Sequence, residues 1–64
     1  MRHYYTIKNH IRDDIFELVD SEDSHYVYLQ GIPYTNPEEL IGKNISVSYL
    51  KPYIETAIGA QLED

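Results

Sequence analysis

Residues 14–32 read DIFELVDSEDSHYVYLQGI, and this stretch decides the fold. Two β-rich runs, Ile15-Phe16-Glu17-Leu18-Val19 and Tyr26-Val27-Tyr28-Leu29, flank the polar segment Ser21-Glu22-Asp23-Ser24. β-branched and aromatic residues bounded by Ser and Asp turn residues are the signature of an antiparallel hairpin. With Ser21–Ser24 as the turn, Asp20 faces His25. The pairs that follow are Val19 with Tyr26, Leu18 with Val27, Glu17 with Tyr28 and Phe16 with Leu29. One face then carries Phe16, Leu18, Val27 and Leu29, all apolar. The other carries Ile15, Glu17, Val19, Tyr26, Tyr28 and Gln30. A slip of one residue would exchange the faces, so the pattern itself selects the pairing.

Working outward, His3 to Ile11 alternates, with Tyr5, Ile7 and Ile11 of one parity, and predicts a first strand. The polar run Asn9 to Asp14 suits a connection. After the hairpin, Pro33 cannot donate to a ladder and holds Ile32 extended. Asn36 to Gly42 predicts a short helix: Asn36 as cap, Pro37 in the first position, Glu39 as the acid of a capping box. Gly42 suits the left-handed exit, and Leu40 and Ile41 are expected beneath the sheet. The capping role accounts for Glu38 and Glu39 without a catalytic carboxylate pair. Asn44 to Leu50 returns to a period of two, with Ile45, Val47 and Tyr49 inward. The tail admits two readings. Tyr53-Ile54-Glu55-Thr56 suits a closing strand, whereas Ile54, Ala57, Ile58 and Leu62 would line one face of a C-terminal helix. The fold class is therefore mainly β: a small antiparallel sheet or barrel, one helical turn near 37–41, and a tail open to helix. Residues 1–64 form a single domain.

This element order resembles the small SH3-like barrel. The string Val47-Ser48-Tyr49-Leu50-Lys51-Pro52-Tyr53 is similar to the end of the chromo or SH3-like barrel found in many retroelement integrases, where a strand runs into a Leu-Lys-Pro-Tyr turn. The resemblance covers about a tenth of the chain. It implies barrel geometry and carries over no functional residue.

Composition narrows the function. A chain of 64 residues leaves room for one modest core, and no cysteine is present to staple it. The net charge of −6 disfavours direct contact with nucleic acid or anionic membranes and favours basic partners. No apolar run approaches a membrane span, and Met1-Arg2-His3-Tyr4-Tyr5 lacks a signal-peptide core, which together predict a soluble, cytoplasmic protein. His3, His10 and His25 have no zinc-like spacing, and the oxygens of Asp20 to Ser24 lack the glycine and closing Glu of a calcium loop. No metal and no cofactor is expected. A triad drawn from Asp23, Ser24 and His25 would place neighbours on a turn that point apart, with no oxyanion hole. Catalytic residues are not expected, and neither is enzyme activity.

What remains is a surface. Asp13, Asp14, Glu17, Asp20, Glu22 and Asp23 concentrate carboxylates on the hairpin, and Tyr26 and Tyr28 add aromatic rings. Charged residues around a turn commonly do no more than keep it solvated. As a recognition surface, they would pair with the cations of a basic protein while the rings stack on guanidinium groups. In size and charge the chain resembles phage-type inhibitors that occupy nucleic-acid-binding surfaces by mimicry. The alternative is an assembly subunit whose tyrosine-rich face is buried in a homo-oligomer.

Overall fold

The computed structural model describes residues 1–53 and 55–63. Its strands are β1 (His3–Arg12), β2 (Ile15–Val19), β3 (Ser24–Leu29), β4 (Asn44–Val47), β5 (Tyr49–Lys51), β6 (Thr56–Ile58) and β7 (Gln61–Leu62). A 3-10 helix, Pro37–Leu40, lies between β3 and β4. The fold is mainly β, as the alternation predicts. β1, β2 and β3 form an antiparallel meander. β4 returns to pair antiparallel with β1 on the side away from β2. The spatial order of the first four strands is thus that of a Greek key.

The remaining strands close the sheet. β4 and β5 are one arm of a long hairpin, and β6 and β7 are the other. Ile45 with Leu62, Ser46 with Gln61, Tyr49 with Ile58, Leu50 with Ala57 and Lys51 with Thr56 all follow a single register. Both arms bend midway, at Ser48 and Gly59, where the Ser48 amide still donates to the Ile58 carbonyl at 2.8 Å. One arm pairs with β1 through β4. The other pairs with β3 through β6, and this contact is parallel. The meander and the two arms therefore make a ring, a small barrel around one core.

Ile7, Phe16, Leu18, Val27, Leu29, Leu40, Ile45, Val47 and Ala57 fill that core. The predicted apolar face of the hairpin is all there. The register differs from the prediction by two residues: Val19 pairs with Ser24, Leu18 with His25, Glu17 with Tyr26, and Phe16 with Val27. Asp20 explains the shift. One of its carboxylate oxygens accepts from the amides of Glu22 and Asp23 at 2.8 and 2.7 Å, and its own amide donates to the Asp23 carbonyl. This Asx-type turn starts one residue earlier than Ser21 and pulls β3 with it. A two-residue shift keeps every side chain on its face.

Other expectations are corrected. β1 runs on through the polar residues to Arg12, and only Asp13 and Asp14 form the connection to β2, with Asp13 at φ 47°. Register shifts between Ile7 and Asn9 and between His10 and Arg12 mark two bulges. The first reverses the alternation, so His10 packs on Phe16 (centroids 4.8 Å apart) and Ile11 is exposed. The bend at Ser48 does the same to β5: Leu50 packs on the core and Tyr49 faces out. The capping box at Asn36 and Glu39 is present, but the helix is a single 3-10 turn with Leu40 buried and Ile41 exposed. Gly42, at φ 89°, makes the positive-φ exit. The tail is strand and turn: Tyr53 and Glu55 lie in the loop before β6, and Ile54 lies outside the described residues.

Two stability predictions follow from this packing. Leu18 is fully buried, so Leu18→Ala is expected to cost about 2–5 kcal/mol by denaturant titration, enough to unfold most of the population. At Gly59, φ is 68° and an added Cβ would lie 2.5 Å from Ser48 Oγ, whereas Gly31, at φ 80°, has open space. Gly31→Ala should cost about 1–2 kcal/mol from the backbone alone. Gly59→Ala should cost clearly more. Equal losses would show that the bend is not closely packed.

Candidate functional site

The fold separates the predicted site residues. Asp13 and Asp14 sit at one end of β2, and Asp20, Glu22 and Asp23 sit at the other. Five strand residues intervene, about 17 Å at the usual rise. Glu17 lies between them on the outer face but is not available to a partner. It is buried, and its carboxylate accepts from Asn9 Nδ2 at 2.9 Å, a contact that the first bulge of β1 creates by placing Asn9 opposite Glu17.

At the Asp14 end, the Tyr34 hydroxyl donates to Asp14 Oδ1 at 2.6 Å while its ring meets Phe16 edge-on. The hydrogen bond and the nearby carboxylates raise the phenol's pKa above its ordinary value. His10 Nε2 lies 2.8 Å from the Asp13 carbonyl. This end is a plug: tyrosine, histidine and the turn cover the core, and Asp14 is occupied in holding them.

The Asp20 end is more open. Asp20, Ser21 and Val19 border a hollow completed by Tyr4, Tyr5 and Thr6 of β1, Asn44 of β4, and Glu63. The amides of Asp23 and Glu22 hold the Asp20 carboxyl below the usual carboxylate range, so it stays ionised. Tyr5 is half-buried, with its pKa raised by burial first and then by the charges of Asp20 and Glu55, so its phenol stays neutral. Its ring meets His25 edge-on at 5.6 Å, and His25 Nδ1 lies 3.6 Å from Glu55 Oε2. Tyr4 is largely exposed. Tyr4, Tyr5 and Asp20 thus border one concavity together with Glu63, whose carboxylate accepts from Ser46 Oγ at 2.5 Å.

Tyr26 and Tyr28 do not join them. They lie on the outer face of β3, Tyr26 exposed and Tyr28 half-buried. Tyr28 instead helps line a second groove with Gln30, Lys51, Pro52, Tyr53 and Thr56. Sequence reasoning passed over Tyr4, Tyr5, Glu63 and, apart from Tyr28, the Lys51 groove. Their assembly depends on the long-range β1–β4 and β3–β6 pairings, for which local alternation gives no signal.

Among the described residues, no three His, Cys, Asp or Glu side chains gather to hold a metal ion, and no helix is long and apolar enough to cross a membrane. No protein-family model matches the chain, and neither does any curated protein or solved structure.

The low pKa of Asp20 sets a pH response. A carboxyl with a depressed folded pKa stabilises the turn fully above its unfolded value, near 4, and loses that contribution as pH falls through the folded value. Amide resonances of Glu22 and Asp23 should therefore shift, and their protection relative to the intrinsic exchange rate at each pH should fall, as pH falls below about 4. Asp20→Asn, whose amide oxygen can make the same bonds without titrating, should abolish that part of the response. An unchanged response in the variant would place its origin elsewhere.

Proposed function

We propose that this protein is a non-catalytic binding module that covers a basic surface of a partner, one that handles nucleic acid, with the hollow at Asp20 receiving a cationic side chain. The observation that carries this reading is the hollow itself, bordered by the rings of Tyr4 and Tyr5 and by the ionised Asp20. A guanidinium group is recognised by aromatic faces together with carboxylates, and Asp20 remains ionised across the neutral range. Glu22 and Asp23 on the adjoining turn, with exposed side chains, extend the acidic field toward further cations. Asp13, at the far end of β2, supplies a second acidic point. Tyr26 and Tyr28 would widen the contact along β3.

Fold-level analogy adds a constraint. The string Val47–Tyr53 resembles the end of the SH3-like barrel. Architecture does not fix function. Here the net charge of −6 argues against holding a polyanion, and supports a protein that competes for a basic surface, as phage-type inhibitors do. The competing reading, a homo-oligomeric assembly subunit, rests on the exposure of Tyr26, Tyr49 and Tyr53.

The test begins with heparin-retained proteins of the source cell passed over the immobilised chain and eluted by salt. A captured protein should release labelled duplex DNA when the soluble chain is added, with association slowing steeply as salt rises. Tyr4→Ala should weaken binding by at least about 1 kcal/mol, and Glu22→Lys should weaken it further. Glu38→Lys, which changes the net charge equally but on the 3-10 helix, should be nearly silent. If Glu38→Lys were as damaging as Glu22→Lys, overall charge and not this surface would be responsible. A salt-insensitive oligomer with Tyr26 and Tyr49 protected from solvent would replace this reading with the assembly subunit.

A further inference from the structure

The second groove differs in chemistry from the rest of the surface. Its floor is one rung across three strands: Tyr28 of β3 pairs with Thr56 of β6, which pairs with Lys51 of β5. Leu50, one residue before Lys51, packs on the core, which turns Lys51 outward. Gln30 extends the floor, and Pro52 and Tyr53 of the β5–β6 loop form a wall. In a chain with 11 acidic and five basic residues, this groove is lined, among the described residues, by a lysine and by no carboxylate. Among the described residues, Lys51 forms no ion pair.

Tyr53 supplies a second observation. It stands at φ 74°, in the left-handed region, where a bulky L-residue costs about 1–2 kcal/mol. Its side chain is fully exposed, so the fold recovers nothing by burying it. A costly backbone that presents an aromatic ring to solvent beside a lysine is explained if the ring meets a ligand.

We infer that the Tyr28–Thr56–Lys51 rung and the Tyr53 wall form a docking groove for an extended acidic segment of a partner protein, with a carboxylate on Lys51 and a neighbouring aromatic or proline side chain between Tyr28 and Tyr53. Charge complementarity selects this occupant: the groove's single cation suits one carboxylate, whereas a nucleic-acid strand brings a row of phosphates that one lysine in a −6 protein does not neutralise. Proline and aromatic rings stack on tyrosine at little entropic cost. None of these residues lines the hollow at Asp20, and apart from Tyr28, which the proposed contact reaches along β3, none belongs to the proposed function.

The test uses the full chain, isotope-labelled, and three pools of ten-residue peptides in which a central aromatic or proline residue is flanked by Asp or Glu, by Asn or Gln, or by Lys. Oligo(dT) is the fourth probe. The acidic pool should shift the resonances of Tyr28, Gln30, Lys51, Tyr53 and Thr56, and should bind about tenfold more tightly than the amide pool, the worth of one charge-assisted contact. Lys51→Glu and Tyr53→Ala, both at exposed positions, should each remove that preference while leaving the core resonances in place. Glu22→Lys should leave it unchanged. Equal binding of the acidic and lysine pools, no shift at these residues at millimolar peptide, or tighter binding of oligo(dT) in the groove would each overturn the inference.

Discussion

The bend at Ser48 and Gly59 is the constraint on which the barrel depends. A straight hairpin could extend only one edge of the β1–β2–β3 meander. Bent at its middle, the same hairpin gives β4 to one edge and β6 to the other, and so removes both. The corner has little room, since Gly59 lies against Ser48 so closely that a Cβ would collide. Arg2 then fastens it. Its guanidinium donates to Ser46 Oγ and the Ser46 carbonyl, to Ser48 Oγ, and to the Gly59 carbonyl across the bend. Ser46 Oγ passes the chain of bonds on to Glu63 at 2.5 Å. Ser46 is fully buried although it belongs to the outward parity, because Arg2 covers it. A chain of this length has few core residues, nine of them buried among the described residues, and the bent hairpin encloses them by pairing with both edges of the meander.

The sequence made the faces legible but not the lengths and angles. Phe16, Leu18, Val27 and Leu29 alternate without interruption, and any register that keeps their parity buries them. Register itself depended on Asp20, the first of five adjacent polar residues, several of them plausible starts for a turn. The bulges in β1 are equally silent. Nothing in Ile7-Lys8-Asn9 announces an extra residue, yet it brings His10 inward, sends Ile11 out and pairs Asn9 with Glu17. The Asn36 box was readable because its chemistry is local: Asn36 Oδ1 accepts from the Glu38 amide, and Glu39 returns to the Asn36 amide. The tail was not, because Thr56 to Leu62 takes its conformation from β3, β4 and β5, all distant in sequence.

The same distinction governs the surface. Six carboxylates within eleven positions look like one patch on paper. β2 divides them between two ends of the barrel, Asn9 withdraws Glu17, Tyr34 occupies Asp14, and backbone amides hold Asp20 in place. Carboxylates that were counted as recognition elements prove to be partly structural. Charge that remains outward is then assigned by topology: Asp20 and Glu63 border one hollow because β7 returns beside β4 and β4 beside β1, and among the described residues no carboxylate lines the groove of Lys51.

Tyrosine, seven of eight aromatic residues, serves both the closure of the barrel and the character of its outer face. In so small a barrel the distance from core to solvent is one side chain, so a ring that seals an opening must end in water. Tyr34 does this at the Asp14 end and Tyr5 at the Asp20 end, each with its ring on core or mouth residues and its phenol near a carboxylate. Phenylalanine could seal the same openings but would leave those carboxylates without a neutral donor or neighbour. On the outer face the requirement reverses. Tyr4, Tyr26, Tyr49 and Tyr53 are exposed beyond anything closure needs, and they flank the two concavities or the strands between them. Aromatic rings kept wet by a hydroxyl can remain on the surface of a monomer and still give up their water to a partner. The side chain that lets this chain close a barrel at 64 residues is therefore the same one that keeps its outer face both aromatic and wet.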